Sequence, residues 1–172
     1  MSPSGGSTMV VLPLRMWSPL NSRPSSRSGF EKYLAMQVAT VFACVYAISD
    51  DLGKLPIRVY REINDDGDKQ RERGHSVETL LNHRPNPWMT PKVFRMTMSK
   101  HRLLWGNAFA EIVFDGAGRP AALYPIEPWR VWIEITVDGR LIYHVSHRTK
   151  PEVTLEPEQM FHLKGISHDG IT

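Results

Sequence analysis

Apolar positions in "AMQVATVFACVYAISDDLG" fall at Val38, Val41, Phe42, Val45, Ile48 and Leu52, the spacing of one helical face. The pattern predicts a helix over residues 36–52, with Ala35, Ala39, Ala43 and Ala47 permitting close approach by other elements. Gly53 and Pro56 are its expected stop. "LPIRVYREI" then alternates as a strand, and "NDDGDKQRERG" is a polar excursion suited to a hairpin or loop. Ser76 is placed to cap a short helix through Leu80 and Leu81. The RPNP sequence ends it, because Pro85 and Pro87 lack an N–H and restrict the residues before them. A second long helix is predicted over 91–105, with Thr90 as N-cap and Pro91 in the first turn. Phe94, Thr97, Met98, His101, Leu104 and Trp105 lie along its apolar side, and Gly106 terminates it.

From Asn107 the period changes to two. Ala108, Ala110, Ile112 and Phe114 share one face, Leu123, Tyr124 and Ile126 continue after a turn, and Val131, Ile133 and Ile135 form another face that "VDGR" joins to "LIYHV". The expectation is an α+β fold, with two main helices packed on an antiparallel β-meander. Within this region GAGRPA matches a dinucleotide-binding fingerprint in form. That fingerprint works where a helix N-terminus follows, and Pro120, Pro125 and Pro128 exclude one. Asp115-Gly116 with Gly118 is hairpin chemistry instead.

Residues 1–30 are rich in Ser, Pro and Gly, with only Val10 to Leu14 and Trp17 to bury, and read as a flexible or extended N-terminal arm preceding a body over 31–172. The arm carries Arg15, Arg23 and Arg27 and no acid, so the net charge of +3 resides there and the body is neutral. DNA or an acidic partner is the expected contact of these three arginines, while the body by charge alone is not a DNA-gripping surface. The apolar run from Val38 to Ile48 is too short for a membrane span, which needs roughly 20 residues, and the N-terminus lacks the pattern of a secretory signal. A cytoplasmic origin without membrane association is expected. Cys44 is the sole cysteine, which excludes an intrachain disulfide, and its apolar neighbours suggest a buried, inert thiol.

Among chemical groups, His144, His147, His162 and His168 with Asp169 are the candidates for a metal or general-base site. Residues three apart on a strand diverge, so His144 and His147 do not converge unless the strand ends between them. Surface or capping roles therefore outweigh catalysis, and no metal or cofactor is assigned. Asp50 and Asp51, adjacent on a helix, read as a solvated helix end rather than a shared-proton pair. Trp88, Trp105, Trp129 and Trp132 could stack bases, with Arg130 between two of them. Packing or subunit contact is the stronger reading, particularly for Trp129 and Trp132.

Four segments in order, "VFACVYAISDDLGKLPIRVYR", "LLNHRPNPWMTPKVFR", "LLWGNAFAEIVFDGAGRPAALYPIEPWRV" and "LEPEQMFHLKGISHDGI", resemble the portal protein family of tailed double-stranded DNA bacteriophages. The resemblance spans about residues 36–171. It implies a non-enzymatic subunit of a ring, usually a dodecamer, at one capsid vertex of the virion, assembled in the bacterial host cytoplasm. DNA passes through such a ring during packaging and ejection, with terminase docking first and neck or tail proteins later. The family continues well beyond the length seen here, through stem, clip and usually crown regions, so the chain corresponds to the N-terminal, wing-type α+β portion. The Gly106-Asn107 and Asp169-Gly170 pairs match family words and read as a helix stop and a turn. Two other classes stand beside this reading: a small metal-dependent hydrolase using His144, His162, His168 and Asp169, and a nucleic-acid-binding module.

Overall fold

A computed structural model describes residues 36–63, 67–146 and 151–165. In these the order is α1 (Ala39–Lys54), β1 (Tyr60–Glu62), β2 (Lys69–Arg71), α2 (Ser76–Asn82), α3 (Pro91–Trp105), β3 (Asn107–Phe114), β4 (Pro120–Ile126), β5 (Val131–Ile135), β6 (Leu141–Val145), β7 (Val153–Leu155) and β8 (Met160–Lys164). The class is α+β, with every strand pairing antiparallel.

The strands after α3 form two sheets rather than one continuous meander, in the orders β4-β3-β8 and β5-β6-β7. The last strand returns to pair with the first, aligning Phe109 with His162 and Ala110 with Phe161. This central sheet is apolar on both faces, because alternate residues of a strand point opposite ways. Ala108 and Ala110 join Phe94 and Met98 of α3, Leu80 and Leu81 of α2, and Leu123 in one core. Phe109, Ile126 and Met160 project the other way and meet Val131, Ile133, Tyr143, Val145 and Leu155 of the second sheet. The result is three layers, helices over sheet over sheet. Small side chains at 108 and 110 let α3 lie close on the backbone, and Phe109 fills the wider gap between sheets.

Pro120 and Pro125 fit β4 because it is an edge strand, where a missing N–H costs no ladder bond. Its free edge is closed by the preceding loop: the Leu123 N–H donates to the Pro85 carbonyl at 2.7 Å, and Asn86 Nδ2 donates to the Leu123 carbonyl at 2.8 Å. Asn86 Oδ1 accepts from the N–H groups of Trp88 and Met89, so this buried side chain organises the turn into α3.

Helix α3 begins with Thr90 Oγ1 accepting from the Val93 N–H and ends at Gly106, whose φ of 81° is a left-handed conformation that a side chain resists. Helix α2 starts one residue earlier than its hydroxyl suggested. His75 is the cap, its Nδ1 accepting from the Val77 N–H, and Ser76 is already helical.

Gly53 is not the stop of the first helix. The helix continues through Gly53 to Lys54 and ends before Leu55-Pro56, where the proline disfavours helical geometry in its predecessor. Gly53 instead allows α1 to cross α3: a Cβ there would lie 2.7 Å from Met96 Cγ and 3.3 Å from the Lys92 carbonyl oxygen. Arg95 locks the crossing, donating from Nε and Nη2 to the Gly53 carbonyl and from Nη1 to the Leu81 carbonyl. Helix α1 thus packs on α3 and not on a sheet.

Candidate interaction surfaces

The apolar face expected to bury α1 is largely uncovered. Val45 is buried together with Ser49 and Gly53, while Val38, Phe42, Ile48 and Leu52 are exposed, as is Tyr46. Cys44 is likewise exposed, contrary to the buried thiol expected from its neighbours. The reason is geometric. The narrow seam containing Ser49 and Gly53 is the part that allows close approach to α3, and the bulkier residues flank it. Phe42 and Tyr46 stack on each other with centroids 6.0 Å apart and line a groove between α1 and α3 of about 270 Å³.

Asp50 departs from a simple solvated helix end. Its carboxylate meets both Lys54 and Lys92 at 2.6 Å, joining α1 to α3. Hydrogen bonds from Lys54 and then Lys92 hold its pKa below the ordinary value. Asp51 is exposed and pairs with Lys54.

The four tryptophans are not assembled into one stacking platform. Trp129, half-buried in a 3-10 turn, tilts against Trp105 at the end of α3, with centroids 5.0 Å apart. Trp132 lies on the side of β5 opposite Val131 and Ile133 and stacks on His144 at 4.8 Å. Arg130 Nε donates to the Ser146 carbonyl and Nη1 to Glu127. Trp88, which spacing did not distinguish from the others, is 82% exposed and touches Tyr124. Its position follows from the Asn86-organised turn, a tertiary contact that hydrophobic periodicity does not report.

The candidate histidines also separate. His144 Nε2 faces Glu134 at 2.7 Å, with Glu152 near Nδ1 at 3.3 Å, on the outer face of the second sheet. His162 lies between the two sheets, bonded to Asn107 and Tyr143. Burial first, and Lys164 second, lower its pKa to about 4. His147, His168 and Asp169 lie outside the described residues, as do Arg15, Arg23 and Arg27. Among the described residues no group of three or more metal-ligating side chains converges.

Gly116 and Gly118 lie in the β3–β4 turn, where Asp115 Oδ1 accepts from the N–H groups of Ala117 and Arg119, and Gly118 has φ of 74°. This leaves no helix N-terminus behind GAGRPA, only β4. Among the described residues, no helix is long and apolar enough to cross a membrane.

Among the described residues, the layered α+β body presents exposed apolar and aromatic surfaces. The chain belongs to the phage portal protein family, whose model matches residues 39–172. It is 27% identical over 136 residues to the portal protein of Enterobacteria phage HK97, a match covering 79% of this chain and 32% of the relative. It is 34% identical over 94 residues to Protein BeeE of Escherichia coli strain K12, covering 55% of this chain and 58% of that protein. The chain thus spans about a third of the first relative and somewhat over half of the second.

Solved structures share the fold. One chain in the neck of an empty gene transfer agent particle, computed with C6 symmetry, superposes with a TM-score of 0.63 at 18% identity, covering 80% of this chain and 37% of the other. Another, from the neck of the native particle computed with C12 symmetry, gives 0.58 at 20% identity, covering 88% and 37%.

Proposed function

We propose that residues 31–172 form the wing-type part of a portal subunit, with residues 1–30 as its N-terminal arm. In this reading the protein is a structural, non-enzymatic component of a closed ring of portal copies at the capsid vertex of the virion, assembled in the bacterial host cytoplasm. The ring is a conduit for double-stranded DNA in packaging and ejection, and a docking site for terminase and then for neck or tail proteins. The observation that carries the reading is the family match over residues 39–172, nearly the whole body. The exposed Trp88 and the uncovered face of α1 add support, since large aromatic and aliphatic side chains of this kind are what assembly interfaces bury. Trp129 and Trp132 are assigned to subunit contact, and Arg15, Arg23 and Arg27 to DNA or an acidic partner.

In this reading the 172 residues by themselves are monomeric near 19.6 kDa, because they correspond to about a third of the HK97 relative and so to only part of a ring's contact area. The test is a chimera in which residues 39–172 replace the matching segment of the HK97 portal protein. Closed rings in sedimentation and electron microscopy are expected. A folded chimera that stays monomeric overturns the assignment, and rings formed by residues 1–172 alone overturn the claim that further segments carry assembly.

A further inference from the structure

The β1–β2 ribbon distributes its charges unevenly between its two faces. Tyr60 pairs with Arg71 and Arg61 with Gln70, and the Glu72 N–H donates to the Val59 carbonyl, so the same register sets Arg58 opposite Arg73. On one face Arg61 is neutralised by Glu72, Nη2 to Oε1 at 2.6 Å. Alternation puts Arg58, Arg71 and Arg73 on the other face, toward α2. Arg71 pairs there with Glu78 of α2 at 3.0 Å. Arg58 and Arg73 are exposed, and neither enters an ion pair among the described residues. Like charges directly opposed on a ribbon repel, and the nearby Glu78 carboxylate is held by Arg71.

A cavity of about 380 Å³ lies between this face and α2, lined by Arg58, Arg71, Arg73, Glu78 and His83 among others. Ligand sites commonly occupy about 300 to 1,000 Å³. Asn82 fixes the cavity's frame, its Oδ1 accepting from the Ile57 N–H at 2.9 Å and its Nδ2 donating to the carbonyls of Ile57 and Glu78 at 2.6 and 3.0 Å. Two buried atoms of the lining residues have no hydrogen-bond partner among the described residues: Arg71 Nε, a donor, and Glu78 Oε2, an acceptor. Buried polar atoms of this kind cost free energy until a partner reaches them. A phosphodiester backbone carries acceptors only, so it can meet the arginines but not Glu78 Oε2. A peptide unit carries an N–H and a C=O together, and an acidic side chain adds the carboxylate that a guanidinium fork binds well. We propose that this cavity binds an extended acidic peptide segment of a partner protein, one carboxylate bridging Arg58 and Arg73 while a peptide unit serves Arg71 Nε and Glu78 Oε2.

The inference is independent of the portal reading, since the site is complete within one chain. The test is amide chemical-shift mapping on the full 172-residue chain, titrated with the blocked peptide acetyl-Ala-Glu-Gly-Glu-Ala-amide. Saturable shifts are expected at Arg58, Arg71, Arg73 and Gly74 and from Glu78 to His83, with the Gln counterpart of the peptide binding about tenfold more weakly. The double variant Arg58→Gln, Arg73→Gln should bind the Glu peptide about tenfold more weakly and melt no lower, since it removes the opposed charges. No saturable shift with the Glu peptide, or equal affinity for the Gln peptide or in the double variant, overturns the proposal. So does tighter binding of a duplex DNA oligonucleotide at the same amides, which would assign the cavity to nucleic acid. The same shifts with inorganic phosphate at equal concentration would reduce it to a general anion site, and shifts that grow with protein concentration alone would assign it to a second copy; either result also overturns the peptide.

Discussion

His162 and Asn107 are joined side chain to side chain across 2.9 Å, from Nε2 to Oδ1, on neighbouring strands β8 and β3. An amide oxygen only accepts, so Nε2 carries the proton, and Nδ1 is left to accept from the Tyr143 hydroxyl at 3.2 Å. The neutral ring is therefore satisfied on both sides while it packs 4.5 Å from Phe109.

This arrangement makes stability depend on pH. The folded pKa of His162 lies near 4, below its ordinary 6.5, and buried His101 is lowered to about 4 as well, by burial first and Lys100 second. In both cases the unfolded chain takes up a proton first as the pH falls. The contribution is complete above 6.5, declines through the window from 6.5 to 4, and is gone below it. Each histidine should cost about 2 kcal/mol between pH 7 and pH 5. Urea denaturation at the two pH values measures this, and His162→Asn should halve the dependence. An equally steep dependence in the variant would assign it elsewhere.

Gly53→Ala places a methyl group against Met96 and the Lys92 carbonyl. The expected destabilisation is about 1 to 2 kcal/mol, from overpacking at the α1–α3 crossing. Adding Met96→Ala should recover part of the Gly53→Ala effect. Thermal melts of the two single variants and the double variant give the coupling, and strict additivity would mean that the helices separate freely.

At Gly106 the cost has a different origin. No atom lies within 4 Å of a Cβ built there, but φ is 81°. Gly106→Val should lose about 1 to 2 kcal/mol through backbone strain, and Gly106→Asn less, because asparagine tolerates the left-handed region. Equal melting temperatures for the two variants would contradict a purely conformational cause.

Asn86→Ala removes three hydrogen bonds and leaves the Leu123 carbonyl and two loop N–H groups to find new partners. A loss of about 2 to 3 kcal/mol is expected. Trp88 fluorescence should shift as its turn loosens, and an unaltered melt would show that water replaces the side chain.

The arm's three arginines are the groups assigned to DNA or an acidic partner. Replacing Arg15, Arg23 and Arg27 with alanine should weaken binding to double-stranded DNA, with a deficit that shrinks as salt rises, and leave the melting profile unchanged. Identical affinity at low salt would rule out these side chains as the contact.

Much of this architecture was legible in local patterns. Thr90-Pro91 and Gly106 bracket a helix because a hydroxyl cap, a preset φ and a left-handed stop are short-range requirements that side-chain type alone satisfies. Alternation through β3 named Ala108, Ala110 and Ile112 as one face, and the prolines after GAGRPA ruled out a crossover helix. The ordered family segments pointed to a portal protein, to which the chain belongs. What tertiary structure decided was which apolar surface is used. Periodicity marks a helical face as apolar but cannot say how much of it meets a partner. For α1, close approach at Gly53 confined contact with α3 to a seam and left Phe42, Tyr46, Ile48 and Leu52 outside. Likewise, β8 returns to β3 instead of extending a meander, which brings His162 to Asn107 across 55 residues of sequence. Such pairings depend on burying both faces of β3 at once, a condition on the whole chain that no local stretch records.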